Sequence, residues 1–153
     1  MPIELRAADP ASEPGAGLLA AMVAEIASIY GEASPDDPGF GVGAAELSPP
    51  TGAFLVGWED GAAVACGGVK RWDDETGEIK RMYVAPAARS RGHARVLLAG
   101  LEAAARDLGY TRVRLDTGPE QPHARALYES EGYADIADYN GNRRAAFWFE
   151  KAL

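Results

Sequence analysis

Residues 78–108 read EIKRMYVAPAARSRGHARVLLAGLEAAARDL, and their interpretation decides the fold. Glu78 to Val84 is β-prone, and Pro86, which lacks the N–H a ladder needs, ends the strand. From Ser90 to Leu108 the apolar residues Val96, Leu97, Leu101, Ala104, Ala105 and Leu108 recur at helical spacing, and Gly109 is a suitable stop. A strand therefore runs through an Arg- and Gly-containing turn into a helix. The first turn of a helix has unpaired N–H groups and carries the positive end of the macrodipole, so such a junction suits phosphate. Gly92 lets the backbone come close to a ligand, Ala94 is small enough to do the same, and Arg89, Arg91 and Arg95 bring positive charge. The turn lacks the Gly-Lys-Ser/Thr of a Walker A loop and the three spaced glycines of a dinucleotide fingerprint.

The charge pattern points the same way. The chain of 153 residues carries a formal net charge of −8, yet between Glu78 and Arg95 five basic residues face one acid. A local positive cluster in an acidic protein suggests a site for one small polyanion, whereas binders of nucleic acid concentrate Lys and Arg more widely. No nucleic-acid partner is expected.

Working outward, Arg112–Thr117 (RVRLDT) reads as a strand that follows the helix, as parallel strands do. A short helix over Gln121–Glu131 ends at Gly132, and strands are expected over Tyr133–Ile136 and Ala146–Lys151. Upstream, Ala53–Glu59 and Ala62–Trp72 flank Asp60-Gly61, a two-residue hairpin signal. Asp73 to Gly77 makes the next turn, Ile3–Arg6 a first strand and Ala11–Tyr30 a helix; Gly31–Pro50 reads as loop with room for a short helix. The length fits a single domain, 1–153, in one mixed sheet. The single Cys66 cannot form an internal disulfide, and no Cys/His cluster has metal-ligand spacing. The chain has no apolar run of 18 residues, and its start lacks a signal-peptide pattern, so no membrane partner and a cytoplasmic location are expected.

Arg89-Ser90-Arg91-Gly92-His93-Ala94 resembles the Arg/Gln-x-x-Gly-x-Gly/Ala motif of the GNAT superfamily of N-acetyltransferases. Gln121 to Tyr133 (QPHARALYESEGY) is similar to that family's second motif, Asn-x-x-Ala-x-x-Leu-Tyr-x-x-x-Gly-Phe/Tyr, matched here by Ala124, Leu127, Tyr128, Gly132 and Tyr133, with Gln121 in place of Asn. The resemblance covers roughly Ala53 to Leu153, and the order of elements matches throughout. It implies an α/β GNAT-like fold: a mostly antiparallel sheet of about seven strands with one splayed parallel pair, flanked by about four helices.

The resemblance also implies site residues. The backbone of Met82, Tyr83 and Val84 would pair with the pantetheine arm of acetyl-coenzyme A, and the Met82 amide would polarise the thioester carbonyl. Arg89, Ser90, Arg91, Gly92, His93, Ala94 and Arg95 would wrap the pyrophosphate, and Gln121 would supply a pantetheine-side hydrogen bond. Tyr128 sits where members often place a general acid that protonates the departing thiolate or hydrogen-bonds coenzyme A. Glu78 matches a catalytic carboxylate of some members; a partly buried glutamate there could take the proton of an acceptor ammonium directly or through water, whereas an exposed one would pair with Lys80 or Arg81. His93 is expected to face solvent or coenzyme A, His123 to border the site, Cys66 to lie in the core, and Trp58, Trp72, Trp148 and Phe147 to be sheet and core aromatics.

The implied reaction is direct acetyl transfer to a small-molecule amine, since no activated nucleophile is visible. Alternatives are a protein or peptide amine, or a coenzyme A-binding regulatory module. The acids Glu32, Asp36, Asp37, Glu46 and Asp138 are expected near the acceptor side, where they would favour a cationic amine. Family members are often dimers joined through C-terminal strands, so a homodimer is one assembly the resemblance allows.

Overall fold

The computed structural model describes residues 2–34 and 42–153. Strands β1 (Glu4–Ala7), β2 (Ala53–Glu59), β3 (Ala62–Arg71), β4 (Thr76–Val84), β5 (Arg112–Thr117), β6 (Ala134–Asp135) and β7 (Phe147–Ala152) form one sheet in the order β1-β2-β3-β4-β5-β7-β6. Only β4 and β5 pair in parallel; the other neighbours are antiparallel. The described helices are α1 (Gly15–Tyr30), α2 (His93–Asp107) and α3 (Pro122–Ser130), with two short 3-10 turns at Ala44–Leu47 and Pro86–Ala88. Three α-helices thus stand among the described residues where about four were expected.

Two helix starts differ from the sequence reading for local reasons. α1 begins at Gly15, not Ala11, because Pro14 disfavours helical backbone at Glu13 before it, and Asp9 holds Ala11 N–H and the Ser12 hydroxyl in a turn. α2 begins at His93, not Ser90, because Ser90 (φ 66°) and Gly92 (φ 80°) are left-handed and cannot continue helical hydrogen bonding.

α1 and α2 cover opposite faces of the sheet. α2 presses Leu97, Leu98 and Leu101, all at most 1 % exposed, onto the face that carries Val69, Ile79, Val113, Leu115 and Phe149. Each such leucine contributes about 2 kcal/mol by burial. The approach is so close that a Cβ on Gly67 of β3 would lie 2.8 Å from Leu101 Cδ1. α1 covers the other face, where Leu18 and Met22 meet Phe54, Val56, Cys66 and Tyr83.

One irregularity positions the site. Cys66 pairs with Tyr83 and Gly68 with Lys80, so Arg81 and Met82 of β4 together face the single residue Gly67, and Arg81 adopts φ 62°. This β-bulge resets the alternation of β4 by one residue. Ile79, Met82 and Val84 point to the α2 side, and Tyr83 to the α1 side.

Candidate active-site cleft between two parting strands

β4 and β5 stay paired only from Thr76–Arg112 to Glu78–Arg114. Beyond that point both strands continue without pairing to each other, β4 to Val84 and β5 to Thr117, and a cleft of about 940 Å³ opens between them. Its walls come from five directions: Ile79–Val84 of β4, Leu115–Thr117 of β5, the junction into α2 with Arg89, Ser90 and Gly92 to Arg95, the start of α3 with Gln121, Ala124 and Tyr128, and the flank of α1 with Met22, Val23, Ile26 and Ile29. The cleft lies at the carboxyl ends of the two parallel strands, where crossover topology places ligands in open α/β sheets.

The two helix starts facing the cleft are electrostatically bare. Gly92 caps α2 and Gln121 caps α3 without a side-chain cap bond, and neither helix has an acid in its first turn. The first-turn N–H groups of each therefore have no intrahelical acceptor and no carboxylate of their own. The left-handed Ser90 and Gly92 add a concave run of backbone to that end. A Cβ on Gly92 would meet nothing within 4 Å, so this backbone is open to a ligand. These features fit a phosphorylated, strand-like ligand.

Of the residues singled out from the sequence, Met82, Tyr83, Val84, Arg89, Ser90, Gly92, His93, Ala94, Arg95, Gln121 and Tyr128 line this one cleft, as does His123. Arg91 and Glu78 do not. Arg91 turns away to Glu59 at the end of β2 and to the Ala87 carbonyl, the latter at 3.2 Å. The arginine excess along the chain is matched across the fold: Arg89 meets Glu25 of α1 at 2.6 Å, Arg91 meets Glu59, and Arg95 meets Glu131. These partners come from three separate elements, which is why adjacency in sequence did not reveal them.

His93 was expected to face solvent or coenzyme A; it lines the cleft, and the solvent half of that expectation is corrected. Its ring is 3 % exposed, and Nε2 lies 2.6 Å from Glu59 Oε2, so the imidazole is held by a carboxylate and does not face solvent. The His93 hydrogen bond, followed by the Arg91 charge, holds the Glu59 carboxyl below the usual carboxylate range.

Tyr128 is buried against Tyr133 and Phe149, and its hydroxyl rests on Met82 Sδ at 3.7 Å, a weak acceptor. Burial, and then the negative charge of Asp116, push its phenol well above the ordinary tyrosine range. Gln121 Oε1 accepts from Gly118 N–H at 3.3 Å. Cys66 is a core residue whose burial drives the thiol up to about 12.

Glu78 is 2 % exposed on the α1 side of the sheet. Its Oε2 accepts from the Tyr139 hydroxyl (2.7 Å) and Asn140 Nδ2 (3.3 Å) and lies 3.3 Å from Lys80 Nζ. Asn140 Nδ2 also donates to Asp116 Oδ2 at 2.6 Å, and Trp148 Nε1 donates to Asn140 Oδ1 at 3.1 Å. Glu78 thus sits one layer behind the cleft, while Lys80 and Asp116 reach its wall. Burial, followed by the Glu78 charge, pushes the Tyr139 phenol strongly upward.

Glu32, Glu46 and Asp138, expected near the acceptor side, do not line the cleft; Asp36 and Asp37 lie outside the described residues. Glu46 pairs with Lys70 at 3.2 Å, and Asp138 accepts from the N–H groups of Asn140 and Gly141. Sequence reasoning missed Asp116. The available signal was its place in RVRLDT: one acid near the carboxyl end of a strand, in alternation with the buried Val113 and Leu115.

Comparison with known proteins is consistent with this geometry. The model of the Acetyltransferase (GNAT) family matches residues 20–133. The chain is 33 % identical over 135 residues to the IAA acetyltransferase of Azospirillum brasilense, covering 86 % of this chain and 88 % of that protein. It is 32 % identical over 123 residues to the uncharacterised N-acetyltransferase YsnE of Bacillus subtilis, covering 77 % and 82 % of the two chains. A GNAT family acetyltransferase from Elizabethkingia anophelis, solved with acetyl-CoA bound, superposes with a TM-score of 0.70 at 16 % identity, over 99 % of this chain and 98 % of that one.

Proposed function

The chain belongs to the GNAT acetyltransferase family, and on that premise we propose that it moves the acetyl group of acetyl-coenzyme A to an amine of a small molecule by direct attack in a ternary complex. The observation that carries this reading is the parting of β4 from β5 after Glu78–Arg114, with the uncapped start of α2 at its mouth. The acetyl-CoA held by the Elizabethkingia neighbour supports the choice of co-substrate.

The bound thioester would supply an activated acetyl group; the chain's own residues hold and orient it. The edge of β4 from Met82 to Val84 would hold the pantetheine arm, and the turn from Arg89 through Arg95 the pyrophosphate, chiefly through backbone N–H groups. Met82 N–H, fixed by the bulge at Arg81, is the donor assigned to the acetyl oxygen, because a donor already in place needs no reorganisation. Tyr128 is the acid assigned to the departing sulfur. Its environment keeps the phenol protonated, and its resting bond to a thioether is easily exchanged. Glu78 takes an indirect part, fixing Lys80 and Asn140 at the cleft wall, and the proton of the attacking amine leaves to solvent water.

Isothermal titration with acetyl-coenzyme A, followed by a thiol-release assay over a panel of amines, tests this reading. One-to-one binding and thiol release that depends on a small amine are expected. A folded protein that fails to bind would refute the proposal. An acetylated enzyme isolated without acceptor would refute direct attack, and faster turnover of lysine peptides than of any small amine would refute the acceptor class.

A further inference from the structure

The α1 side of the cleft has a wall and a floor of different character. Its wall is the apolar flank of α1, Met22, Val23, Ile26 and Ile29. Val23 and Ile29 are 48 % and 42 % exposed, two of the four large hydrophobic residues so exposed among the described residues, and both line this cleft. Apolar side chains exposed inside a groove that also holds convergent polar groups are the usual lining of a small-molecule site.

The floor is charged. Asp116 Oδ2 accepts from Asn140 Nδ2 (2.6 Å) and Asn142 Nδ2 (3.3 Å) and lies 4.0 Å from Lys80 Nζ. Its other oxygen, Oδ1, accepts nothing among the described residues. None of their side-chain nitrogen or oxygen atoms is both buried and unpartnered, so Oδ1 reaches solvent, and Asp116 meets solvent in the cleft. Glu78, Asp116 and Lys80 form one contiguous group of two carboxylates and one ammonium, and Arg81 and Arg144 also line the cleft. Asp116 also acts electrostatically on Tyr128, the residue assigned to the sulfur, so the carboxylate stands near the assigned acid.

Taking the proposed acetyl transfer as given, we propose that the acceptor is a primary amine with an apolar body, bound with its ammonium on Asp116 and its body against Val23, Ile26 and Ile29. Asp116 is then an acceptor-binding residue in front of Glu78. A dianionic or strongly hydrophilic acceptor would leave both wall and floor unsatisfied.

The test uses the whole chain with saturating acetyl-coenzyme A and a thiol-release readout. Phenethylamine and hexylamine serve as apolar probes; ethanolamine, glycine and glucosamine serve as polar ones. The apolar amines should show kcat/KM at least about tenfold above the polar ones, since burying their methylenes against the wall favours them. Asp116→Asn should raise KM for phenethylamine roughly ten- to a hundredfold, as loss of a charge-assisted hydrogen bond does, with KM for acetyl-coenzyme A unchanged. Val23→Ser with Ile29→Ser, at exposed positions of α1, should bring kcat/KM for phenethylamine and hexylamine down to that of the polar amines and so erase the apolar preference. Equal kcat/KM across both sets, or an apolar preference that survives the double variant, overturns the inference while acetyl transfer itself stands. Should Asp116→Asn not fold, the double variant and the panel still decide. Failure to bind acetyl-coenzyme A would instead strike the reading on which the inference rests.

Discussion

Replacing Ala94 by glutamate separates anion binding by α2 from the folding of α2. Ala94 is the second residue of the helix after its Gly92 cap, and it lines the cleft. A carboxylate at this position favours the helix by about 0.3–1 kcal/mol through the macrodipole, against a few tenths of a kcal/mol of lost propensity relative to alanine. The two nearly cancel, so Tm should move by no more than about 2 °C. Against a pyrophosphate on the same turn the effect is large. Like charges about 5 Å apart at an effective dielectric constant of about 20 repel by about 3 kcal/mol, which is roughly a hundredfold or more in Kd. Titration calorimetry of Ala94→Glu should therefore show acetyl-coenzyme A binding weakened by that factor. Ala94→Gln, of equal size and no charge, should retain most of the affinity. Matching Tm values from a thermal melt would exclude misfolding. If Ala94→Glu binds within about threefold of the parent, the phosphates do not sit on this helix start, and the cofactor assignment of the whole turn fails.

Three further outcomes follow from the same structure. Tyr128→Phe should lower kcat about a hundredfold, as loss of a general acid does, while acetyl-coenzyme A affinity changes far less, since the hydroxyl's partner among the described residues is the weak acceptor Met82 Sδ; in the parent, Tyr128's raised phenol pKa keeps the acid protonated, so kcat should show no loss from its ionisation as pH rises to 10. Cys66, with its thiol driven up to about 12, should remain unalkylated by iodoacetamide at pH 8 in the folded protein and react fully in denaturant, as read by mass spectrometry. The lowered carboxyl of Glu59 stabilises the folded state above the unfolded carboxylate pKa and loses that effect as pH falls through the lower folded value. The Tm difference between the parent and Glu59→Gln should thus be full above pH about 5 and shrink steadily under more acid conditions; a difference constant down to pH 3 would contradict the His93–Glu59–Arg91 arrangement.

Much of this architecture is legible along the chain because its causes are local. The hairpin at Asp60-Gly61, the apolar periodicity of α2, the stop at Gly109 and the helix with Tyr128 follow from backbone preferences and spacing that act within a few residues. The donor-rich character of the junction at Gly92 is local as well, since an uncapped helix start after a left-handed turn makes its donors available wherever the rest of the chain lies. The boundaries at Pro14 and Ser90 were less legible, because one proline and one left-handed serine override a periodic pattern that continues past them.

What required the tertiary structure was every property set by residues far apart in sequence. The motif arginines read as a bare basic cluster until Glu25, Glu59 and Glu131 arrive from three other elements, and His93 shows no partner until β2 brings Glu59 to it. Glu78 and Asp116 show the same dependence. In sequence Glu78 occupies the position of interest and Asp116 is an unremarked acid in a strand. In the fold the parallel pairing ends at Glu78, the strands part, and Asp116 is left at the open wall while Glu78 is sealed behind it by Tyr139 and Asn140. Residue type and spacing determined the elements and the glycine turn that opens α2, because those depend on torsions and hydrogen bonds within one segment. Which carboxylate faces the cleft was decided by strand separation and by counter-charges contributed from across the sheet, and these exist only once the chain has packed.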